Sequence, residues 1–262
     1  MGSVHDIIQI TEGLGDCIIA GACAQKLAEI YSKPIGFNTN DLLTPILKNH
    51  PQIYLTKEPG FVLKWASQIN RSIFAYHTMQ RFGIQLGINI DPTEVLDLYD
   101  EQGNKIRNSP AYKNICINIS SKEKTRRFIP DEIVRLMESI ALDKGYSVTY
   151  LGDGYHNTGI TSIEQGLRSI QTASLFVGPV SFWYHLAACI RIPCLLFTSY
   201  MPEHKFSHFE TTVAINPITN ICRLTCEENE LSMRTAMKCW DGCHMVNQYD
   251  KKEIENKFNS LL

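Results

Sequence analysis

The first residues that could do chemistry are Gly13-Leu14-Gly15-Asp16, which interrupt an apolar run between Ile7 and Ala20. Glycines permit a tight turn with open backbone N–H groups, and a carboxylate can act as a general base toward a hydroxyl group. The apolar residues before this loop predict a buried strand, and those after it have helical spacing. Asp16 is therefore expected at the carboxyl end of a first strand, where open α/β sheets bind ligands. The alternative is that Asp16 only caps a helix predicted from Cys17 to Ile30.

A second candidate site is the loop at residues 120–127, which follows a predicted strand at Ile115–Ile119. The loop carries four basic residues and one acidic residue, and it leads into a helix predicted to begin at Asp131. Hydroxyl groups, basic side chains and a helix N-terminus are what a phosphate group binds. The pattern favours a phosphate site over a solvated charged loop, and its candidate ligands are Ser120, Arg126 and Arg127.

A third candidate site begins at Gly178, where a predicted strand gives way to a loop and then to a helix from Phe182 to Ala188. Ser181 and the free N–H groups of the helix N-terminus could bind a second phosphate oxygen. His185 lies one turn into this helix. A single helical histidine is more often a packing residue than a ligand, and the residues alone favour that interpretation.

Two pairs of cysteines near the end of the chain could bind a metal ion. Cys222 and Cys226 are separated by three residues, and Cys239 and Cys243 follow with the same spacing. Four thiolates in two close pairs can form a tetrahedral zinc or iron site. The usual spacing within a pair is two residues, so the alternative is a C-terminal cap with reduced cysteines.

The elements that must position these residues alternate between strand and helix, which predicts an α/β fold. We expect two facing, doubly wound, Rossmann-like domains with a ligand cleft between them, an N-terminal domain at residues 1–110 and a C-terminal domain at 111–262. The linker is expected near residues 108–113. The predicted strands lie near residues 7–10, 34–37, 53–55, 115–119, 147–151, 175–177 and 194–197, and the further helices near 42–47, 61–68, 72–86, 131–144 and 162–170.

The composition of the chain mainly excludes certain classes of protein and partner. Hydrophobic residues make up 44% of the 262 residues, charged residues 20%, and the formal net charge is −2. No global basic field therefore indicates nucleic acid or an anionic membrane as a partner. No apolar run has membrane-spanning length and no signal peptide is evident, so a cytoplasmic protein with unpaired cysteines is expected.

Four segments together resemble the ADP-heptose:lipopolysaccharide heptosyltransferases, a family of glycosyltransferases with the GT-B fold. Gly13 to Asp16 is similar to the opening loop of that family, and Leu47 to Ile53 to its helix-His-Pro-strand passage. Thr125 to Pro130 resembles its Ser-Lys-Arg-Trp-Pro-Pro segment, and His185 to Ala188 matches its His-Leu-Ala-Ala helix. The order and spacing of the motifs carry the resemblance, which spans nearly the whole chain.

The resemblance implies an inverting glycosyltransferase that uses a nucleoside-diphosphate sugar and needs no catalytic divalent metal. Asp16 would be the catalytic base, Arg126 would replace a donor-phosphate lysine, and Gly15 and His185 would lie beside the donor. Some protein-modifying members are similar in carrying a four-cysteine metal finger. The family's Asp-Ser/Thr-Gly motif is replaced here by Val180-Ser181-Phe182, so the acidic contact to the donor sugar is missing. The first domain is also shorter than that of the family.

The acceptor stays open at this stage. A glycan or a protein hydroxyl is expected, and the alternative is a hydroxymethylated base in DNA, as in phage sugar transferases. Two functions from other classes are a non-catalytic nucleotide-sugar binder and a sugar-nucleotide epimerase. The residues available for DNA are the basic side chains Lys57, Lys64, Arg71 and Arg81 and the aromatic side chains Trp65, Phe74 and Tyr76.

Overall fold

The computed structural model describes residues 6–10, 13–64, 77–119, 128–152, 159–198, 212–218 and 248–262. These residues form two parallel β-sheets. The first sheet has the order β3-β2-β1-β4, with β1 at Ile7–Gln9, β2 at Ile35–Asn38, β3 at Ile53–Leu55 and β4 at Phe61–Val62. The second has the order β6-β5-β7-β8-β9, with β5 at Asn114–Asn118, β6 at Ser147–Leu151, β7 at Leu175–Pro179, β8 at Cys194–Phe197 and β9 at Thr212–Ile215.

Helices connect these strands, which confirms the predicted α/β fold class. The longest is α1 at Leu14–Tyr31, which is apolar on almost every face and ends at Ser32 in a left-handed conformation with φ 52°. A helix with this composition is buried on several sides. The other described helices are α2 at Thr44–Leu47, which follows a 3-10 turn at Asp41–Leu43, α3 at Thr78–Leu86, α4 at Asp131–Asp143, α5 at Ile163–Thr172, α6 at Phe182–Ile190 and α7 at Lys251–Leu261.

The two sheets share a hydrophobic core through their helices. One cluster of buried residues runs from the first sheet through α1 to α5 and α6, and α1 packs on α6 while α2 packs on α5. A second cluster lies on the other face of the second sheet, where Ile133 and Met137 of α4 meet Ile254 and Phe258 of α7. The first sheet is therefore followed by a helix layer with α1 and α2, then by a layer with α5 and α6, then by the second sheet, and last by α4 and α7.

The strand orders determine where a ligand can bind. In the first sheet the chain leaves β1 toward β2 and later returns to the other side of β1 with β4. In the second sheet β5 is flanked by β6 and β7 in the same way. Such reversals open a crevice at the carboxyl ends of the strands. The loops after β1, β5 and β7 leave from these two crevices.

Two predicted elements differ from the structure. The helix expected at 61–68 begins instead as the strand β4, because the backbone at Gly60 and Leu63 donates hydrogen bonds to the side chain and the carbonyl of Gln9 at 3.3 and 2.9 Å. These tertiary bonds override the local helical pattern. The helix expected from Ser72 is described from Thr78 onward. The strand β9 and the helix α7 were not predicted.

The segment between α3 and β5, residues 87–113, contains turns and a bridge between Tyr99 and Lys105, as its polar composition predicts. The boundary at 108–113 stays a prediction. Among the helices that the structure describes, none combines the length and apolar character needed to cross a membrane.

Candidate functional site

The loop after β1 leads directly into α1 and carries the predicted general base. α1 begins at Leu14, three residues before its predicted start, and its N-cap residue is Gly13. Asp16 therefore lies inside the first turn, and the alternative in which it is the N-cap residue is wrong. Its carboxylate folds back over that turn, since a Cβ atom placed on Gly13 would lie 3.3 Å from Asp16 Oδ2. A carboxylate in a first turn is stabilised by the helix dipole.

The N-terminus of α6 forms the opposite side of the candidate site. Ser181 is the N-cap residue, and its Oγ accepts a hydrogen bond from the N–H of Tyr184 at 3.3 Å. Only 7% of Ser181 is exposed. Gly178 lies inside β7, which continues to Pro179, so the loop begins later than predicted. A Cβ atom on Gly178 would lie 2.8 Å from the Phe176 ring, so the ring occupies the space beside this glycine.

A close contact joins the first turns of α1 and α6. A Cβ atom on Gly15 would lie 2.8 Å from His185 Cδ2, 3.4 Å from His185 Nε2 and 3.7 Å from the backbone nitrogen of Phe182. The absence of a side chain at Gly15 therefore lets the first turn of α1 touch the first turn of α6. His185 is 4% exposed, so it lies buried at the contact between α1 and α6, and its place beside the donor stays a prediction. The structure thus brings Gly15, Asp16, Ser181 and His185 together.

The loop with the predicted phosphate ligands leaves from the neighbouring strand. β5 pairs with β7, and the N–H of Ile129 donates a 2.8 Å hydrogen bond to the carbonyl of Ile119, which joins the two ends of this loop. The loop is therefore anchored beside the strand that leads to Ser181. Ser120, Arg126 and Arg127 themselves lie outside the described residues.

Gly152 and Asn118, at the carboxyl ends of β6 and β5, were not identified from the sequence as site residues. Gly152 follows β6 with φ 78°, and a Cβ atom there would lie 3.1 Å from Asn118 Nδ2 and 3.2 Å from Trp183 Nε1. The Asn118 amide donates to the carbonyl of Leu151 at 3.1 Å. Gly166 of α5 leaves space for the Trp183 ring, which a Cβ atom would approach to 2.1 Å. A glycine inside a helical pattern was the available signal.

The basic residues considered for DNA binding differ in exposure where the structure describes them. Arg81 is 2% exposed, so its prediction as a surface phosphate contact is wrong. Lys57 is paired with Asp41. Lys64 is exposed, and its backbone forms two hydrogen bonds with the side chain of Gln85. Arg71 and the aromatic residues Trp65, Phe74 and Tyr76 lie outside the described residues.

The cysteines fall into two groups. The predicted metal ligands Cys222, Cys226, Cys239 and Cys243 lie outside the described residues. Within the described ranges, no group of three or more histidine, cysteine, aspartate or glutamate residues could hold a metal ion. The remaining five, at Cys17, Cys23, Cys116, Cys189 and Cys194, are buried and form no disulfide bond in the described part of the chain.

No protein-family model and no curated protein sequence matches the chain. Solved structures do match it. The iron-containing dodecameric glycosyltransferase TibC from enterotoxigenic E. coli H10407 is 16% identical, with a TM-score of 0.66 over 97% of this chain and 76% of TibC. A family 9 glycosyltransferase from Veillonella parvula DSM 2008 is 10% identical, with a TM-score of 0.69 over 100% of this chain and 98% of its own.

The E. coli ADP-heptose lipopolysaccharide heptosyltransferase II is similar as well. It is 13% identical, with a TM-score of 0.60 over 98% of each chain. At these identities the likeness concerns the fold. The chain therefore has the two-domain α/β fold of the heptosyltransferases and family 9 glycosyltransferases, which confirms at the level of the fold the resemblance found in the sequence.

Proposed function

We propose that this protein is an inverting glycosyltransferase that moves a sugar from a nucleoside diphosphate to the hydroxyl group of a glycan or protein acceptor. The observation that carries the proposal is the contact between Gly15 and His185. This contact brings the first turn of α1, which contains Asp16, against the N-terminal part of α6. The resemblance in fold to glycosyltransferases supports the same function.

In the proposed reaction, Asp16 removes the proton from the acceptor hydroxyl as its oxygen attacks the anomeric carbon of the sugar. The bond between that carbon and the diphosphate oxygen breaks on the opposite face, which inverts the configuration. Negative charge collects on the leaving diphosphate. The N-terminus of α6 and Ser181 stabilise this charge, together with Ser120, Arg126 and Arg127 from the loop after β5. These groups supply the positive potential without a catalytic divalent metal.

The donor proposed for the first tests is an ADP sugar. Structures similar to this chain have been solved with ADP and with ADP-D-beta-D-heptose. The sugar is left broader than heptose, because Val180-Ser181-Phe182 stands where the resemblance leads one to expect an acidic residue. The acidic contact to the donor sugar that the resemblance implies is therefore missing here.

We also propose that Cys222, Cys226, Cys239 and Cys243 hold one zinc or iron ion with a structural role. The similar protein TibC is described as iron-containing. The N–H of Ile218 donates a 2.8 Å hydrogen bond to the carbonyl of Gln248, so the two residues that flank the segment with all four cysteines lie side by side. A metal-bound finger needs only such closely spaced ends. Elemental analysis should give one metal ion per chain, and none in a Cys222→Ser/Cys239→Ser variant.

The decisive experiment compares the turnover and donor binding of Asp16→Asn. A thermal-shift panel of nucleoside diphosphates and their sugars first identifies the donor, because a ligand of the native state raises the melting temperature. Loss of a general base lowers turnover about 100-fold or more, while the dissociation constant for the nucleoside diphosphate, measured by calorimetry, changes less than about threefold.

The matched control is Asp6→Asn. Asp6 precedes β1, at the edge of the first sheet opposite to the loop that carries Asp16, and forms an exposed ion pair with Lys33. This control keeps full turnover. Full turnover by Asp16→Asn, or a panel in which no nucleotide binds, would refute the proposed function.

A further inference from the structure

The segment between the domains contains a buried carboxylate that no catalytic role explains. Asp97 is 8% exposed. Its two oxygens each accept a 2.6 Å hydrogen bond from a cation, Oδ2 from Lys105 Nζ and Oδ1 from Arg107 Nη2. Burial raises the pKa of Asp97, but the hydrogen bonds and charges of Lys105 and Arg107 outweigh this effect, and the pKa is lowered. Asp97 is therefore held as an anion that ties this segment into one unit.

This unit is attached to the first domain through Gln25 of α1. The Gln25 amide bonds Asp97 twice, since Nε2 donates to Oδ2 at 3.3 Å and Oε1 accepts from the Asp97 N–H at 2.8 Å. Gln25 Oε1 also lies 3.1 Å from His50 Nε2, just before β3. Asp97 is thereby fixed to the central helix of the first domain.

The same segment is attached to the second domain one residue after Arg107. The Asn108 N–H donates to the carbonyl of Ile190, the last residue of α6, at 2.8 Å. Its side-chain amide donates to the carbonyls of Gln171 and Ala173 at the end of α5, at 3.1 and 2.8 Å. Carbonyls at helix C-termini lack partners within the helix. Asn108 supplies those partners, so the segment holds the C-terminal ends of α5 and α6.

The helices α1 and α6 are thus held at two places. Their first turns meet where Gly15 touches His185. Farther along, the chain Gln25–Asp97–Arg107–Asn108 connects α1 to the last residue of α6. We call these four residues the clamp. We propose that Asp97 is a positioning residue. Through the clamp it sets α1 against α6, and so it places Asp16 relative to the N-terminus of α6, where the donor diphosphate is proposed to bind.

This inference rests on the proposed function, because it assigns Asp97 an effect on Asp16. The effect would be transmitted by a tilt of α1, which contains both Gln25 and Asp16. Asp16 and Gln25 are nine residues apart, about 13 Å along the helix axis, so a tilt of about 5° displaces Asp16 by about 1 Å. A displacement of about 1 Å in a catalytic group can cost about 100-fold in rate. A small loosening of the clamp is therefore expected to appear in turnover.

The test is Asp97→Asn, which keeps the size of the side chain and an acceptor for Gln25 but removes the charge. Lys105 and Arg107 are 51% and 35% exposed, so water can solvate them and the fold is expected to survive. The matched control is Asp6→Asn, which removes an exposed ion pair with Lys33 at the amino end of β1, the edge of the first sheet opposite to the loop that carries Asp16. Two readouts are measured, hydrogen exchange of the free protein and kinetics with the donor found by thermal shift.

For Asp97→Asn we expect amide exchange at residues 17–21 and 185–188, near the site, to rise about fivefold or more. We expect kcat to fall about tenfold or more, with the dissociation constant for ADP within about threefold of that of the wild type. Asp6→Asn should change neither quantity. If Asp97→Asn does not fold, Arg107→Gln removes one of the two ion pairs and should give the same changes in smaller measure.

A purely local role predicts a different result. Exchange would then rise only at residues 94–111 and 22–28, and kcat would be unchanged below the melting temperature, which would overturn the inference. Asp16→Asn separates the two proposals. Full activity of Asp16→Asn refutes the proposed function, whereas an inactive Asp16→Asn together with wild-type kcat in Asp97→Asn refutes the clamp alone.

Discussion

At the scale of single residues, the structure places two histidines from the sequence motifs in the contacts between elements. His185 packs against Gly15, where one added carbon atom would collide. His50 is 6% exposed and stacks edge-on with Tyr99 at 5.0 Å between ring centroids. Both side chains therefore bind other parts of the fold, and the helix-His-Pro-strand passage has a structural role in this chain.

His50 should make the stability of the protein depend on pH. Its Nδ1 accepts the N–H of Gln52 at 3.1 Å, so the neutral ring carries its proton on Nε2 and donates it to Gln25. Burial, assisted by the charge of Lys105 and opposed by that of Asp97, lowers the pKa of His50 from 6.5 to about 4. Between these two values the unfolded chain binds the proton and the native protein does not. The contribution of neutral His50 to the free energy of unfolding is therefore complete above pH 6.5. It is lost as the pH falls toward 4, and the loss is up to about 3 kcal/mol.

The measurement is urea denaturation from pH 7.5 to 4.0, compared between the wild type and His50→Gln. The carboxyl groups titrate in both proteins, so the difference between the two curves isolates His50. The free energy of unfolding of the wild type should decrease more steeply below pH 6.5 than that of the variant. Parallel curves would contradict the pKa assignment.

At the scale of elements, two helices of the second domain begin with the same type of cap but differ in their proposed roles. Ser181 Oγ accepts the Tyr184 N–H at 3.3 Å at the start of α6, and Ser162 Oγ accepts the Gln165 N–H at 3.4 Å at the start of α5. Each cap satisfies one of the open N–H groups of its helix. Only the first of these helices meets the first turn of α1.

Replacement of each serine by alanine separates capping from binding. Both variants should lose about 1 kcal/mol of unfolding free energy, since the cap is lost in both. Only Ser181→Ala should also weaken ADP binding, by about tenfold or 1.4 kcal/mol, because its hydroxyl group is a proposed ligand of the diphosphate. Chemical denaturation and calorimetric titration measure the two effects. Equal ADP affinities in the two variants would remove Ser181 from the donor site.

At the scale of the whole molecule, the two domains are not independent cores. The first hydrophobic cluster includes Ile8 and Phe37 of the first sheet and Tyr184 and Leu196 of the second domain. Separating the domains would expose the apolar faces of α1 and α6 to water, at a cost of about 25 cal/mol for each Å² of apolar surface. The domains are therefore expected to unfold together.

Differential scanning calorimetry should show a single transition that includes both sheets. Ile190→Ala truncates a buried side chain of the shared cluster, and Ile254→Ala truncates one in the cluster beneath α7. Each variant should lower the melting temperature and leave one transition, with a loss of about 2–5 kcal/mol. Two separate transitions in either variant would show that the domains unfold independently.

The sequence by itself determined the elements whose signals are local. The second half of the chain was predicted almost strand by strand, because buried parallel strands such as Cys194–Phe197 appear as short apolar runs between glycines and helical segments. The loop Gly13–Asp16 and the helix that follows Ser181 were identified for the same reason. The order of four short motifs was enough to predict the glycosyltransferase fold.

The tertiary structure decided whatever depends on distant residues. β4 is a strand because Gln9 offers it hydrogen bonds across the sheet, and no local pattern near Phe61 encodes that pairing. Gly15 and His185 are 170 positions apart in the sequence, and their contact follows from the packing of α1 on α6. Nothing in the local sequence distinguishes Asp97 from a surface aspartate, and only the fold brings Gln25 and Arg107 into contact with it. Contacts of this kind depend on how the domains pack, and packing is a property of the whole chain.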